Sequence, residues 1–166
     1  MAAEPPRRGL FARALAAFLL MPGLVAYALP VAIGLSDGPA RRVSAAAALV
    51  AAGTLLLLAC VREFYVAGRG TLAPWSPPEH LVTTGPYRFS RNPMYVAVLT
   101  VLAGWCVLWD SGALKIYLAA TLGAFLVRVI GFEEPWAARR FPAEWQAYRA
   151  RTPRWLLHIP RAKGDP

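Results

Sequence analysis

The densest run of chemically useful side chains is GPYRFSRNPMY, Gly85 to Tyr95, which gathers Tyr87, Arg88, Arg91, Asn92 and Tyr95 where an apolar stretch begins. Asn92 followed by Pro93 is ordinary helix-start chemistry, an N-cap and a first-turn proline. Capping does not account for the two arginines and two tyrosines around them, nor for the turn at Gly85-Pro86. A helix N-terminus offers free N–H groups and the positive end of a dipole, so with Arg88 and Arg91 beside it this segment is a seat for a carboxylate or a phosphate. A second polar group, Arg128, Glu133, Glu134 and Pro135, follows the next apolar stretches. Charges at the edge of a membrane are costly and are candidates for function. The plainer alternative has Arg128 snorkelling to the interface and both glutamates solvated where Pro135 interrupts the helix.

The elements that must position these residues are apolar helices. Of the 166 residues, 57% are apolar and 16% charged, with a mean hydropathy of +0.42, a balance suited to a bilayer. Four segments stand out: Leu10–Leu35, Val43–Gly68, Met94–Trp109 and Gly112–Phe132. Three match or exceed the ~20 residues a helix needs to cross a membrane, and the third borrows Pro93 and Asp110 at its ends. The fold expected is therefore all-α, an integral membrane protein of about four transmembrane helices with a cytoplasmic loop and a short amphipathic C-terminal helix. It is read as one membrane domain over residues 1–166, with two N-terminal helices in 1–68 and the loop, hairpin and C-terminal helix in 69–166. The first segment is too long for the apolar core of a signal peptide and is kept as a membrane helix, kinked at Pro22 and Pro30.

The net charge of +9 falls mostly beside apolar runs, which points to lipid headgroups and topology rather than nucleic acid. Arg7, Arg8, Arg13, Arg69, Arg88, Arg91, Arg139, Arg140, Arg149, Arg151, Arg154, Arg161 and Lys163 lie on one side; Arg41, Arg42 and Lys115 lie on the other. The positive-inside rule then places both termini and the central loop in the cytoplasm. Trp109 to Gly112 closes a tight helical hairpin on the far side, with Trp105 and Trp109 in the aromatic belt. Phe141, Trp145 and Tyr148 share one face of a helix begun by Pro142, either lying on the lipid surface or forming a lid over the central loop. Cys60 and Cys106 lie in apolar runs and His80 and His158 are isolated, so no metal site is expected. Arg62, Glu63 and Arg128 all lie near helix ends, which leaves no mid-membrane relay for a transporter.

The ordered blocks LVTTGPYRFSRNPMY, then EEP, then FPAEWQAYRARTPRWL resemble the isoprenylcysteine carboxyl methyltransferase family and its bacterial relatives, and they are similar to membrane phospholipid N-methyltransferases. The resemblance covers about Pro74 to Leu157. It implies a small membrane enzyme that binds S-adenosylmethionine with these blocks, in keeping with the absence of a GxGxxG fingerprint. It implies cofactor contacts from His80, Leu81, Val82, Tyr87, Asn92, Pro93, Met94, Tyr95 and Glu133. Many relatives carry His where this chain has Asn92, which donates and accepts hydrogen bonds but cannot titrate. The arginine that prenylcysteine enzymes place four residues before the glutamate falls here on Val129. Arg128 is one position away, a rotation of about 100° on an α-helix, which turns it from that place.

The residue chemistry fits such a cofactor. Arg91 and the helix start at Asn92-Pro93 suit its carboxylate, Glu133 or Glu134 its ammonium or ribose hydroxyls, and Tyr87 or Tyr95 its sulfonium or adenine. A carboxylate acceptor needs no base, and Arg88 or Arg128 would orient it. An amine acceptor must lose a proton, for which Glu134 is the candidate base. The weakly polar N-terminal helices favour a lipidic acceptor in a bilayer, and the whole reads as a protein of a bacterial inner membrane. The contrasting reading is a non-catalytic scaffold or lipid-binding protein that keeps the fold without the chemistry.

Overall fold

The computed structural model describes residues 19–68 and 79–155. The arm with Arg7, Arg8 and Arg13, the loop residues 69–78, and the tail with Arg161 and Lys163 lie outside the described residues. Among the described residues there are helices and no strand. A π-helical stretch, Leu19–Ala28, runs into α1 (Leu29–Ser36); α2 (Val43–Val66) follows, then a 3₁₀ turn, Gly85–Arg88. After it come α3 (Pro93–Trp109), α4 (Gly112–Arg128), a π-turn (Val129–Glu133), α5 (Glu134–Arg140) and α6 (Pro142–Arg151).

Among the described residues, two helices are long and apolar enough to cross a membrane: Val43–Val66, and the continuous run Gly112–Arg140. Pro22–Ser36 and Pro93–Trp109 are shorter apolar helices. Only 22% and 17% of the apolar windows of the two long helices are buried, so their apolar side chains mostly face outward. Ile116, Val127 and Phe132 are exposed in this way. Apolar surface on that scale is stable against hydrocarbon and not against water.

The first apolar segment shows how its prolines are accommodated. Pro30 has no N–H, so carbonyls one turn earlier lack their helical donor. Two of them are met by side chains: Trp105 Nε1 donates to the Ala26 carbonyl at 2.7 Å and the Tyr117 hydroxyl to that of Val25 at 3.0 Å. Trp105, expected in an aromatic belt, thus ties α3 to the first segment, and Trp109 stacks on it at 5.6 Å.

The closest helix contact is between α2 and α3. A Cβ on Gly53 would come within 2.7 Å of Val101 and 2.8 Å of the Ala97 carbonyl, and one on Gly104 within 2.7 Å of Val50. Small residues let two backbones approach where no hydrophobic force drives helices together in lipid. Buried Leu57, Ala97, Val98, Val101 and Leu102 fill the contact. The α3–α4 hairpin turns at Asp110, which is left-handed (φ 50°). Ser111 caps α4 by accepting from the Leu114 N–H at 3.1 Å and donates to Asp37 at the end of α1.

Pro135 does not interrupt the last long helix, contrary to the sequence expectation. The π-turn before it leaves Glu134 N–H bonded to the Val129 carbonyl five residues back. Its extra residue absorbs the proline, a common use of a π-bulge. The helix therefore continues through both glutamates instead of releasing them to solvent.

Candidate functional site

Two carboxylates adjacent in sequence are held in different environments. Tyr95, in the first turn of α3, donates its hydroxyl to Glu133 Oε1 at 2.5 Å. Arg128 Nε donates to the same Oε1 at 2.8 Å and to the Tyr95 oxygen at 3.1 Å. The Tyr95 ring packs on Phe125 of α4, with centroids 4.3 Å apart, and faces Trp155 at 6.5 Å. The Glu133 and Arg128 side chains remain 38% and 46% exposed, so both can meet a ligand. The two hydrogen bonds described for Glu133 go to Oε1, which leaves Oε2 for a cation or a hydroxyl.

Residues five apart on a regular α-helix point about 140° away from each other. Arg128 meets Glu133 because the π-turn between them inserts one residue and brings an i,i+5 pair onto one face. Arg128 thus meets Glu133 despite its one-residue displacement from Val129, which is itself fully buried. This corrects the expectation that Arg128 is turned away.

Glu134 is sequestered. Arg154 grips it with two bonds, Nε to Oε1 and Nη2 to Oε2, both 2.8 Å. Arg91 Nη1 lies 3.1 Å from Oε1 without hydrogen-bond alignment, and Arg91 Nε is also without a partner among the described residues. The Arg91 guanidinium is stacked 5.4 Å from the Trp145 ring centroid. Burial pulls its pKa down from the ordinary arginine value while Glu134 works in the opposite direction. Two guanidiniums on one carboxylate leave a local excess of positive charge.

The chain after α6 is strapped across the start of α3. Arg91 N–H donates to the Pro153 carbonyl at 2.9 Å; Asn92 Nδ2 and Ser90 Oγ donate to that of Arg154 at 3.0 and 3.2 Å. Asn92 is therefore no side-chain cap, contrary to the sequence expectation: its amide is spent on the strap, and its own N–H is taken by Ser90 Oγ at 3.2 Å. The Tyr148 hydroxyl, which burial holds well above the usual tyrosine range, stays protonated and donates to the Tyr87 carbonyl at 2.7 Å. Phe141, Trp145 and Tyr148 are all buried, so α6 turns its aromatic face onto the central loop rather than into lipid.

Residues 41–144 match the phospholipid methyltransferase family, more than half of the chain. The chain belongs to that family. As a phospholipid methyltransferase family member it carries the family's expectation of methyl transfer at a membrane. It is also 33% identical over 85 residues to the cobalt-zinc-cadmium resistance protein CzcN of Cupriavidus metallidurans, covering 51% of this chain and 39% of that protein. The nickel-cobalt-cadmium resistance protein NccN of Alcaligenes xylosoxydans xylosoxydans is 33% identical over 95 residues, 57% of this chain and 41% of that one. The chain thus spans about two fifths of the length of these curated relatives. No solved structure matches it.

Within this family member, the residues singled out from sequence divide into three groups. Tyr95, Arg128 and Glu133 converge in a half-exposed cluster; Arg91, Asn92 and Glu134 converge on the strap. The remainder lie around the loop: Tyr87 and Val82 are buried beside Cys60, Leu81 packs on the Trp145 cluster, and Met94 bridges two parts of the core. Burial pushes the Tyr87 hydroxyl well above its usual range, and its ring packs edge-on against Phe64 at 5.5 Å. Pro93 is buried, while His80 and Arg88 are exposed, Arg88 lying 5.1 Å over the Phe89 ring. Sequence reasoning missed Ser90 and the grip of Arg154 on Glu134; it placed Tyr148 on the aromatic face of the C-terminal helix but not its bond to the Tyr87 carbonyl. The only signal for Arg154 was a basic tail carried after a pair of glutamates.

Proposed function

We propose that this chain is an integral-membrane, S-adenosylmethionine-dependent methyltransferase acting on an amphiphile held in the bilayer. In this reading it is one membrane domain crossing a bacterial inner membrane four times, with both termini cytoplasmic. The observation that carries the reading is the Tyr95–Arg128–Glu133 cluster beside an apolar groove, linked to it through Trp155. The groove, of about 550 Å³, is lined by Leu49, Val96, Leu99, Ala103, Leu126 and Trp155 among others. Trp155 lines the groove and faces Tyr95, with ring centroids 6.5 Å apart. An alkyl chain lying there would bring its polar end to the cluster, and desolvation of the chain favours that placement.

The residues fit the cofactor on one specific ground: Glu133 keeps an oxygen free, is partly exposed, and stands beside an aromatic pair. Bound S-adenosylmethionine would supply a methyl group already activated by a sulfonium. Glu133 would take its ammonium or ribose hydroxyls, and Tyr95 with Trp155 would offer ring faces to a cation or to adenine. The loop residues His80, Leu81, Val82, Tyr87, Arg91, Asn92, Pro93 and Met94 would form the rest of the pocket, with Arg91 supplying positive charge toward a carboxylate. Arg128, and Arg88 on the exposed side of the loop, would orient an anionic acceptor. With a carboxylate acceptor, alignment alone supplies most of the rate.

The family match favours a second acceptor, a phospholipid amine. An amine must lose a proton, and Glu134 was the carboxylate expected to take it. Because Arg154 occupies both of its oxygens, Glu134 serves in this reading to hold the strap, and Glu133 is the carboxylate left to receive the proton. The third reading is a non-catalytic membrane component that keeps the fold without the chemistry. Among the described residues no three His, Cys, Asp or Glu side chains gather as a metal site would require.

The test is calorimetric binding of S-adenosylmethionine to the protein in lipid nanodiscs, followed by transfer of labelled methyl to a lipid extract. Saturable binding that Glu133→Ala weakens supports the enzyme. Folded protein that binds neither S-adenosylmethionine nor S-adenosylhomocysteine would leave the non-catalytic reading.

A further inference from the structure

Glu63, in the last turn of α2, has no part in the chemistry proposed above, yet its side chain is only 13% exposed while that of its neighbour Arg62 is 71% exposed. Its carboxylate turns toward the central loop. Oε2 accepts from the Thr84 hydroxyl at 2.5 Å, and Oε1 accepts from Arg62 at 3.0 Å. The carbons of the same side chain fill the place a Cβ would take on Gly85: Cγ and Cδ lie 2.7 and 2.8 Å from that position. Gly85 has φ +55°, a conformation that other residues adopt only at a cost.

The surrounding residues make this a seat for one turn. One residue on, Phe64 packs edge-on against Tyr87, and one turn back Cys60 lies beside Tyr87 in the same buried cluster. From the opposite side Tyr148 holds the Tyr87 carbonyl. The segment Thr84–Tyr87 is thus gripped between α2 and α6, and five residues later the chain enters α3 at Asn92-Pro93. Any tilt of this turn shifts the start of α3 and with it Tyr95. The contact with Thr84 is exposed, so its loss takes little from global stability, but it is a polar contact that fixes the direction of the turn.

We infer that Glu63 is a positioning residue that sets the Thr84–Tyr87 turn, and through it the start of α3, in the geometry that receives the cofactor. The inference rests on the proposal that this loop and Tyr95 bind S-adenosylmethionine. It assigns the second helix a role in the site, although none of the motif blocks lies there.

The experiment combines amide hydrogen exchange with S-adenosylmethionine calorimetry on the full chain in nanodiscs. Glu63→Ala is expected to speed exchange over residues 85–92 without changing the interior of α3, and to weaken binding roughly tenfold, as loss of one hydrogen bond would. Glu63→Gln is expected to restore both within about twofold, because the amide oxygen accepts the same bond. Unchanged exchange and affinity in Glu63→Ala would overturn the inference, as would a Glu63→Gln variant no better than alanine, since the effect would then be charge alone. If Glu63→Ala does not fold, Thr84→Val against Thr84→Ser poses the same question, with loss in the first and retention in the second expected. Wild-type protein that binds no cofactor would overturn the cofactor reading itself, and the exchange comparison would still decide whether Glu63 holds the turn.

Discussion

At the scale of single residues, the chemistry turns on how differently Glu133 and Glu134 are treated. Glu133 shares one oxygen between Tyr95 and Arg128 and stays partly open, while Glu134 is closed off by Arg154 and Arg91. Their alanine variants should therefore separate. Glu133→Ala and Tyr95→Ala are each expected to weaken S-adenosylmethionine binding by roughly tenfold or more while leaving the protein folded. Retained binding in both would sink the proposed site. Glu134→Ala should instead act on stability. It leaves two guanidiniums facing each other without their carboxylate, at a cost of about 1–3 kcal/mol after discounting for partial exposure. A thermal shift in nanodiscs would read this as a lower transition temperature, and an unchanged one would show that the strap is not held by Glu134.

At the scale of elements, the π-turn at Val129–Glu133 decides which residues meet. It seats Pro135 within a continuous helix and brings Arg128 and Glu133 onto one face despite their five-residue spacing. Gly131 lies in this turn, and a Cβ there would meet nothing within 4 Å. Deleting Gly131 should let the helix rewind as regular α and turn the pair into an i,i+4 contact. Cofactor affinity is then expected to stay within about threefold of wild type, a change of less than ~0.7 kcal/mol. A large loss of affinity in a folded deletion variant would mean that the turn does more than keep register. The motif blocks carry the residue types of the site, but helix winding was not readable from them, because a π-turn depends on how the released carbonyls and the proline are accommodated in the packed helix.

At the scale of the whole molecule, the α2–α3 contact and the groove beside it set the shape available to an acceptor. Gly53→Leu would drive a side chain into Val101 and the Ala97 carbonyl, and overpacking of this kind costs about 1–3 kcal/mol or more. A lower transition temperature with no change in cofactor stoichiometry is the expected result. Ala103→Trp, by contrast, would fill the groove from α3. It is expected to abolish methyl transfer to lipid while leaving S-adenosylmethionine affinity unchanged, measured on the same nanodisc preparation. Equal loss of both would mean that the groove and the cofactor site are not separate.

Apolar run lengths, the Pro and Gly punctuation and the ordered polar blocks were enough to read an all-helical membrane chain, the hairpin at Trp109–Gly112, the helix begun by Pro142, and the family. These are local properties: the length and patterning of a segment constrain the structure it can take whatever it packs against. Partner choice is different, because several donors compete for each acceptor and only packing decides among them. Asn92 had the type and place of an N-cap but gave its amide to Arg154; Trp105 had the place of a belt residue but gave its N–H to a carbonyl that Pro30 left free. The separation of two adjacent glutamates into an open and a closed carboxylate, and the seat that Glu63 makes for Gly85, arise from residues distant in sequence. They were decided only when the helices came together.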